Sequence, residues 1–296
     1  MTPEPRTPSP ERPERSEPLQ CVSMKSHMQS VQVVRVGGGT SERRRDVAAV
    51  EEPLEIRLQG SPFIVTMRTP GADRELAAGF LLSERIIAGP DDLGAIRHCS
   101  DVDAGARGNV LDVILAGEAR DRAVAALAMR RPVTTTSACG VCGRRSIDDL
   151  TSGLRRIDAG WSMSVAVVST LPGRLRVAQT VFDETGGLHA AGLFDRDGAL
   201  VAVAEDVGRH NAVDKVIGSQ LLAERVPLGD RALLVSGRTS FEIVQKAAVA
   251  GIPIVAAVSA PSSLAIDLAR SANITLLGFV RGDTFNIYTG EHRVAT

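Results

Sequence analysis

The sequence has few aromatic residues and no excess of charge of either sign. Its 296 residues include one Trp, one Tyr and seven Phe, and 34 basic side chains stand against 35 acidic ones. Nucleic-acid-binding proteins usually carry a basic surface, and those that bind single strands add aromatic side chains on which the bases stack. The composition therefore argues against a nucleic-acid partner.

Long apolar runs and a disulfide framework are also missing. No apolar stretch is long enough to span a membrane, and no signal-peptide core is present. Cys21 and Cys99 are isolated, and Cys139 and Cys142 lie three residues apart, which is not the pattern of a small secreted domain. We expect a cytoplasmic globular protein with no membrane partner, in which Cys21 has no role and Cys99 is structural.

The amino-terminal segment is expected to be disordered. Its first thirty or so residues, from MTPEPRTPSPERPERSEPLQ onward, consist largely of Pro, Glu, Arg and Ser and have almost nothing to bury. We extend this tail to residue 45.

Alternating and helical apolar patterns begin after residue 50. An alternating run, a Gly-Ser-Pro turn and a second apolar run predict a β-hairpin, and apolar residues at helical spacing predict a helix after it. The predicted elements are the hairpin strands at 54–58 and 63–67, a helix at 73–87, a strand at 110–115, a helix at 122–128 and strands at 164–168 and 177–180.

The last third of the chain alternates strands and helices. Strands are predicted at 232–235, 252–258 and 274–280, with helices at 241–250 and 262–272 between them. This order predicts a parallel sheet, whose carboxyl edge would gather the loops at 236–240, 259–263 and 281–284. Small hydroxyl residues, helix N-termini, Arg238 and Arg281 predict a phosphate-binding cradle there, although helix capping by Ser240 and Ser262 explains part of the pattern.

The most distinctive stretch is TTTSACGVCG at residues 134–143. Small hydroxyl residues and glycines predict a turned, accessible backbone. Arg144 and Arg145 follow, and a predicted helix at 146–150 would place the thiols near its positive end. Both features favour the thiolate. Cys139 and Cys142 are therefore candidate reactive residues.

A second candidate region lies before the alternating third. His189 stands among glycines and small apolar residues, where a lone histidine is more often a core residue. The stretch 205–215, which includes Arg209 and His210, combines acids, bases and amides at the start of an amphipathic helix. Unpaired charge at a core edge is costly, so this density favours a site, although capping of the helix by Asn211 accounts for part of it.

Six segments together resemble the formate dehydrogenase accessory protein family, the FdhD sulfurtransferases. They are CGVCG, TGGLHAA, EDVGRHNAVDKVIG, VSGRTSFEIVQKAAVAGIP, VSAPSSLAIDLA and GFVRGDTFNIYTG, in this order between residues 51 and 289. The resemblance implies a homodimer with a cytidine-deaminase-like three-layer α/β/α fold and a largely parallel sheet. We therefore assign residues 46–130 to a smaller N-terminal α+β portion, 131–146 to a mobile CGVCG loop and 147–296 to an α/β cofactor-binding domain.

The resemblance also implies a function. The family carries sulfur from a cysteine desulfurase to the molybdenum or tungsten bis-pterin guanine dinucleotide that formate dehydrogenase requires. It implies a persulfide on Cys139, with Cys142 as its partner, and a nucleotide site along the late glycine-arginine stretch. The implied binding residues are Gly278, Phe279, Val280, Arg281, Gly282, Asp283 and Thr284, joined by Ser236, Gly237, Arg238, His189, Arg209 and His210.

Three other functions compete with sulfur transfer. A structural zinc site needs four ligands, and the two thiols have no second pair at a suitable spacing, so no zinc is expected. A zinc deaminase uses H-x-E followed by P-C-x-x-C, whereas here the cysteines precede His189 and the glutamate is missing. A non-catalytic chaperone that delivers the finished cofactor remains open.

Overall fold

The computed structural model describes residues 27–129 and 154–295, and the elements of these two segments are numbered in chain order. The strands are β1 (Met28–Gly37), β2 (Thr40–Ala49), β3 (Glu52–Leu58), β4 (Ser61–Arg68), β5 (Leu93–His98), β6 (Val110–Leu115), β7 (Met163–Ser164), β8 (His189–Phe194), β9 (Leu200–Asp206), β10 (Ala232–Val235), β11 (Ile254–Ala257), β12 (Thr275–Arg281), β13 (Thr284–Thr289) and β14 (Val294–Ala295). The α-helices are α1 (Asp73–Ser83), α2 (Ala119–Met129), α3 (Val165–Val177), α4 (Thr180–Thr185), α5 (Arg209–Leu222), α6 (Phe241–Ala250) and α7 (Ser263–Ser271).

A six-stranded sheet forms the centre of the α/β domain. Its strand order is β13-β12-β11-β10-β8-β9, and β10, β11 and β12 run parallel, as the alternation of strands and helices predicts. The pairings on both sides of this parallel centre, which involve β8, β9 and β13, are antiparallel and were not predicted. The sheet is therefore mixed. The carboxyl ends of its three parallel strands form the predicted edge.

Helices cover both faces of this sheet. Leu233 and Val235 of β10 pack in one core with α5, α6 and α7, whereas Ala232 and Leu234 pack in a second core with α3. Successive residues of a strand point to opposite faces, so each strand contributes to both cores. This arrangement is the expected three-layer α/β/α architecture.

A smaller four-stranded sheet, of order β4-β3-β6-β5, forms an N-terminal lobe together with α1 and α2. The predicted hairpin corresponds to β3 and β4, and the predicted helices correspond to α1 and α2. Helix α1 packs across α5, and the cores of the lobe and of the α/β domain are continuous. Packing of α1 against α5 is thus one of the contacts that join the lobe to the α/β domain.

Residues 28–45, which belong to the segment expected to be disordered, fold as part of a β-hairpin. The strands β1 and β2 pair antiparallel around a two-residue turn at Gly38 and Gly39. Both glycines have positive φ, which a tight hairpin turn requires and which glycine adopts without strain. Composition concealed this hairpin because most of its side chains are exposed, among them Val34 and Val36.

The strands predicted at 164–168 and 177–180 are wrong. Helix α3 spans most of this region, and α4 begins at Thr180. The valines favoured a strand, but Val168, Leu171 and Leu175 recur at helical spacing and are all buried. Ser164 also caps α3, since its hydroxyl accepts a hydrogen bond from Val167 N–H at 3.2 Å.

The described segments contain no helix with the length and apolar character needed to cross a membrane.

The crossing of α1 and α5 gives the first testable prediction. A Cβ on Gly218 would overlap with the Glu75 carbonyl of α1, and one on Gly79 would overlap with the Asp214 carbonyl of α5. Gly218→Ala must therefore push the two helices apart, and we expect a loss of unfolding free energy of about 1–3 kcal/mol or more, measured by urea denaturation.

Gly173 provides the matched control because it also lies within a helix, but a Cβ there meets no atom within 4 Å. Gly173→Ala should leave the protein equally stable or stabilise it by roughly 0.5–1 kcal/mol. Equal stability of both variants would contradict the close helix crossing.

Candidate functional site

The loop after β10 is held against β8. Ser236 N–H donates to the Ala190 carbonyl at 2.9 Å, and Ala190 N–H donates to Ser236 Oγ at 2.9 Å. A Cβ on Gly237 would lie 3.3 Å from Nδ1 of His189, so a glycine lets the loop pass close to this imidazole. Three of the predicted binding residues, Ser236, Gly237 and His189, are therefore neighbours.

The same loop is joined on its other side to the loop after β11. Thr239 N–H donates to the Ala260 carbonyl at 3.2 Å, and Ser262 N–H donates to the Thr239 carbonyl at 3.0 Å. Near the end of β12, Phe279 N–H donates to the Ser259 carbonyl at 3.2 Å. The predicted convergence of three loops at the carboxyl edge of the sheet is confirmed.

Phe279 has an unusual backbone conformation at this edge. Its φ is 55°, in the left-handed region that aromatic residues seldom adopt, and its side chain is 39% exposed. Such a conformation costs on the order of 1–3 kcal/mol. The Arg281 guanidinium carbon lies 6.0 Å from the Phe279 ring centre, and Arg281 Nε donates to the Val258 carbonyl at 3.2 Å. The edge thus presents an exposed ring beside a cation.

Two residues of the predicted binding stretch are used for packing. A Cβ on Gly278 would lie 2.9 Å from the Tyr288 ring and 3.2 Å from the Ser259 carbonyl oxygen, so glycine is needed for close contact between strands and loop. Val280 is fully buried in the second core. At these two positions only the backbone is available to a ligand.

The remaining predicted residues of this stretch lie on the turn from β12 to β13. Gly282 has a φ of 56°, and the Thr284 hydroxyl donates to the Arg281 carbonyl at 3.2 Å. Asp283 is exposed beside them, and Arg238 is exposed on the loop after β10. Two arginines and one acid therefore line this part of the edge, which leaves it with a positive charge balance.

His189 and Arg209 lie near each other at the side of the site. Strand pairing places His189 opposite Asp206 of β9, and Arg209 is the first residue of α5. Burial lowers the pKa of His189, Arg209 lowers it further, and Asp206 opposes both effects. Arg209 Nε is buried and has no hydrogen-bond partner among the described residues. A buried donor of this kind is costly unless an acceptor receives its hydrogen bond, so a bound anion would be favoured there.

His210 connects the start of α5 to the start of α6. Its Nε2 lies 2.9 Å from Ser240 Oγ, and its Nδ1 lies 3.3 Å from Glu242 Oε2. Burial and the nearby cations Lys246 and Arg209 lower the pKa of His210 to about 3. The imidazole is therefore neutral at pH 7.

Buried ion pairs hold α5 and α6, the two helices that carry His210 and Glu242. Lys246 Nζ lies 2.8 Å from Asp214 Oδ2 and 3.6 Å from Glu242 Oε1. Burial disfavours the charge on Lys246, but Asp214 and Glu242 outweigh burial and raise its pKa. Lys215 pairs with Asp206 at 2.7 Å. All five side chains are buried.

Ser240 and Glu242 were not predicted as partners of His210. Ser240 does stand at the N-cap position of α6, but its hydroxyl does not cap the helix and instead contacts His210. Helix α6 reads FEIVQKAAVA, and an acid and a base four residues apart in such an apolar helix were the available signal. Ser262 does cap α7, accepting from Ala265 N–H at 3.3 Å.

The proposed cap on α5 is wrong. Gly208 occupies the N-cap position, and Asn211 lies inside the helix, where it is buried. Its amide donates to the Met67 carbonyl at 2.7 Å and to Asp206 Oδ1 at 2.9 Å. Asn211 therefore ties α5 to the N-terminal lobe.

Cys139 and Cys142 lie outside the described residues. Within residues 27–129 and 154–295, no group of three or more His, Cys, Asp or Glu side chains is arranged to hold a metal ion.

The pKa of His210 gives the second prediction. Between pH 6.5 and about 3, the unfolded chain binds a proton at this residue that the folded chain does not bind. The stability contributed by the neutral imidazole is thus fully present above pH 6.5 and is lost as the pH falls. The expected slope is about 1.4 kcal/mol per pH unit, or roughly 2 kcal/mol by pH 5.

Chemical denaturation of the wild-type protein and of His210→Gln at several pH values measures this slope. The variant should lose less unfolding free energy between pH 7 and pH 5 than the wild type does. Parallel stability curves for the two proteins would show that His210 does not resist protonation.

Comparison with known proteins extends over almost all of the described chain. The model of the FdhD/NarQ family matches residues 49–295. The sulfur carrier protein FdhD of Nocardia farcinica is 52% identical over 266 residues, which cover 88% of this chain and 93% of that protein. The protein of the same name from Anaeromyxobacter dehalogenans is 54% identical over 270 residues, covering 88% and 92%.

A solved structure shows the same fold. It is a crystal structure from Desulfotalea psychrophila, described as a candidate formate dehydrogenase accessory protein, with a TM-score of 0.72 and 24% sequence identity. The alignment covers 91% of this chain and 100% of that one. Because the family model and both relatives match across nearly the whole folded region, the chain belongs to the FdhD/NarQ family.

Proposed function

We propose that this chain is a sulfur carrier that receives sulfur from a cysteine desulfurase and transfers it to the molybdenum bis-pterin guanine dinucleotide of formate dehydrogenase. The observation that carries the proposal is the identity of 52% and 54% to proteins named sulfur carrier protein FdhD, over 88% of this chain. The cofactor is the acceptor substrate of the transfer.

Cys139 is proposed as the sulfur-bearing residue and Cys142 as its partner. The Cys139 thiolate attacks the terminal sulfur of the desulfurase persulfide, the desulfurase cysteine leaves as a thiolate, and the sulfur becomes the terminal atom of a Cys139 persulfide. Glycines at 140 and 143 and arginines at 144 and 145 support this role, because they favour an accessible, nucleophilic thiolate.

The carboxyl edge of the main sheet is proposed to hold the guanine nucleotide part of the acceptor. Three hydrogen-bonded loops support this, since they bring Arg238, Arg281 and the starts of two helices to one edge. The exposed Phe279 ring beside Arg281 offers a surface for a planar base. The buried Nε of Arg209 offers a further donor.

The chain is also proposed to act as a homodimer that binds the desulfurase and formate dehydrogenase in turn.

The alternative function is that of a chaperone that binds and delivers the cofactor without carrying sulfur. The two functions differ in whether a thiol is required.

The third prediction concerns Cys139. After incubation with a cysteine desulfurase and cysteine, intact mass measurement should show added sulfur on the wild-type chain and none on Cys139→Ala. Cys99→Ala is the matched control, because Cys99 is a free, half-buried thiol next to β5 and should leave the adduct intact.

The same variant separates the two functions in cells that lack the native protein. Cys139→Ala should bind the cofactor but fail to activate formate dehydrogenase. An active Cys139→Ala strain would establish the chaperone and exclude sulfur transfer.

The fourth prediction concerns Arg281. Hydrogen bonds between charged groups contribute roughly 1.5–3 kcal/mol, so Arg281→Ala should weaken guanosine diphosphate binding about ten-fold or more in calorimetry. The variant should still accept sulfur on Cys139. Arg231→Ala is the control, because Arg231 precedes β10 at the opposite edge of the sheet and pairs with Asp230. Equal affinity of the two variants for guanosine diphosphate would contradict the proposed phosphate site at Arg281.

A further inference from the structure

The side chains of Ser240, His210 and Glu242 place a hydroxyl, an imidazole and a carboxylate next to one another in that order. The Ser240 hydroxyl oxygen lies 2.9 Å from one ring nitrogen of His210, and the other ring nitrogen lies 3.3 Å from Glu242 Oε2. Serine hydrolases activate their nucleophile with the same order of groups, on several unrelated folds. His210 lies on α5 and Glu242 on α6, and Ser240 is the N-cap residue directly before α6.

The charges around His210 favour one placement of its proton. Lys246 Nζ, 3.6 Å from Glu242 Oε1, favours the ionised carboxylate, which can only accept a hydrogen bond. The His210 ring is neutral and carries one proton. Its Nδ1 lies 3.3 Å from Glu242 Oε2, and this negative charge favours the tautomer with the proton on Nδ1. Nε2 is then the acceptor, and Ser240 donates its hydroxyl proton to it. This is the protonation pattern that a general base needs.

The position of Ser240 also favours chemistry over helix capping. Ser240 and Ser262 hold equivalent N-cap positions at the starts of α6 and α7, but only the Ser262 hydroxyl accepts from its own helix. The loop before Ser240 is clamped by hydrogen bonds at Ser236 and Thr239. Ser240 itself remains partly exposed. A rigidly held, accessible hydroxyl is thus aimed at a neutral imidazole.

We infer that Ser240 is an activated nucleophile toward phosphoric acid esters and anhydrides, with His210 as its general base and Glu242 as the residue that positions His210. Phosphoryl substrates are favoured because Arg238 lies on the loop that leads to Ser240 and Arg209 precedes His210 on α5. The inference goes beyond the sulfur-carrier proposal and does not depend on it, since no thiol takes part.

The chemical step balances without an added reductant or oxidant. Ser240 Oγ forms a bond to phosphorus while the bond from phosphorus to the leaving oxygen breaks. The hydroxyl proton passes to His210 Nε2 and then to the leaving oxygen. Water, deprotonated by His210, then releases the phosphoryl group and restores Ser240.

A fluorophosphonate probe tests the inference on the full chain. The Ser240 oxygen displaces fluoride from phosphorus, which leaves a stable adduct that intact mass measurement and peptide mapping detect. We expect one adduct per chain on Ser240 and none on Ser262, no labelling of Ser240→Ala, and labelling of His210→Gln slowed by about 100-fold or more.

Two control variants keep the result specific. Ser219→Ala on α5 should label at the wild-type rate, because its hydroxyl donates to the Val216 carbonyl of its own helix. Cys99→Ala, which removes the free thiol next to β5, should also label at the wild-type rate, because no thiol takes part in the proposed reaction. The wild type should release p-nitrophenol from bis(p-nitrophenyl) phosphate, and Ser240→Ala should not.

Absence of an adduct on the folded wild-type chain, under conditions that fully label chymotrypsin, would overturn the inference. Labelling that persists in Ser240→Ala would overturn it as well. Circular dichroism of each variant checks the fold, and Ser240→Ala, which removes one partly exposed oxygen, keeps the test decisive if His210→Gln fails to fold.

Discussion

Two buried lysine–aspartate pairs hold α5 in place, and the rest of the site depends on them. Lys215 pairs with Asp206 and also donates to the Thr69 carbonyl of the N-terminal lobe at 2.8 Å, while Lys246 of α6 pairs with Asp214. Removing one partner of such a pair leaves an uncompensated buried charge and typically costs about 3–5 kcal/mol. The pairs therefore make α5 the common support of the lobe, the sheet and α6.

The position of α5 has a direct consequence at its first turn. The close crossing at Gly79 and Gly218 sets how near α1 and α5 lie, and Asn211 joins the start of α5 to the end of β4. These contacts fix the position of His210, which lies within hydrogen-bond distance of Ser240. The ion pairs that stabilise α5 and the side chains of the candidate site thus belong to one polar network. Each buried charge needs a partner, and these partners fix the positions of the side chains.

The carboxyl edge combines two kinds of residue that the sequence does not distinguish. Gly278 and Val280 are required for close packing, whereas Phe279 and Arg281, between and beside them, are exposed. Successive residues of a strand point to opposite faces, which produces this alternation. The shift of register between β12 and β13 and the left-handed backbone of Phe279 lie in the same stretch. The strain at Phe279 persists because the surrounding strands and the Ser259 hydrogen bond hold it there.

The sequence by itself determined the parallel centre of the sheet, the meeting of three loops at its carboxyl edge and the first hairpin of the lobe, since these follow from local periodicity and strand order. Tertiary structure alone decided that α3 is a helix despite its valines, that residues 28–49 pair, and that Ser240 contacts His210 instead of capping α6. The last of these joins side chains 30 residues apart in the chain. A local pattern carries no information about such contacts.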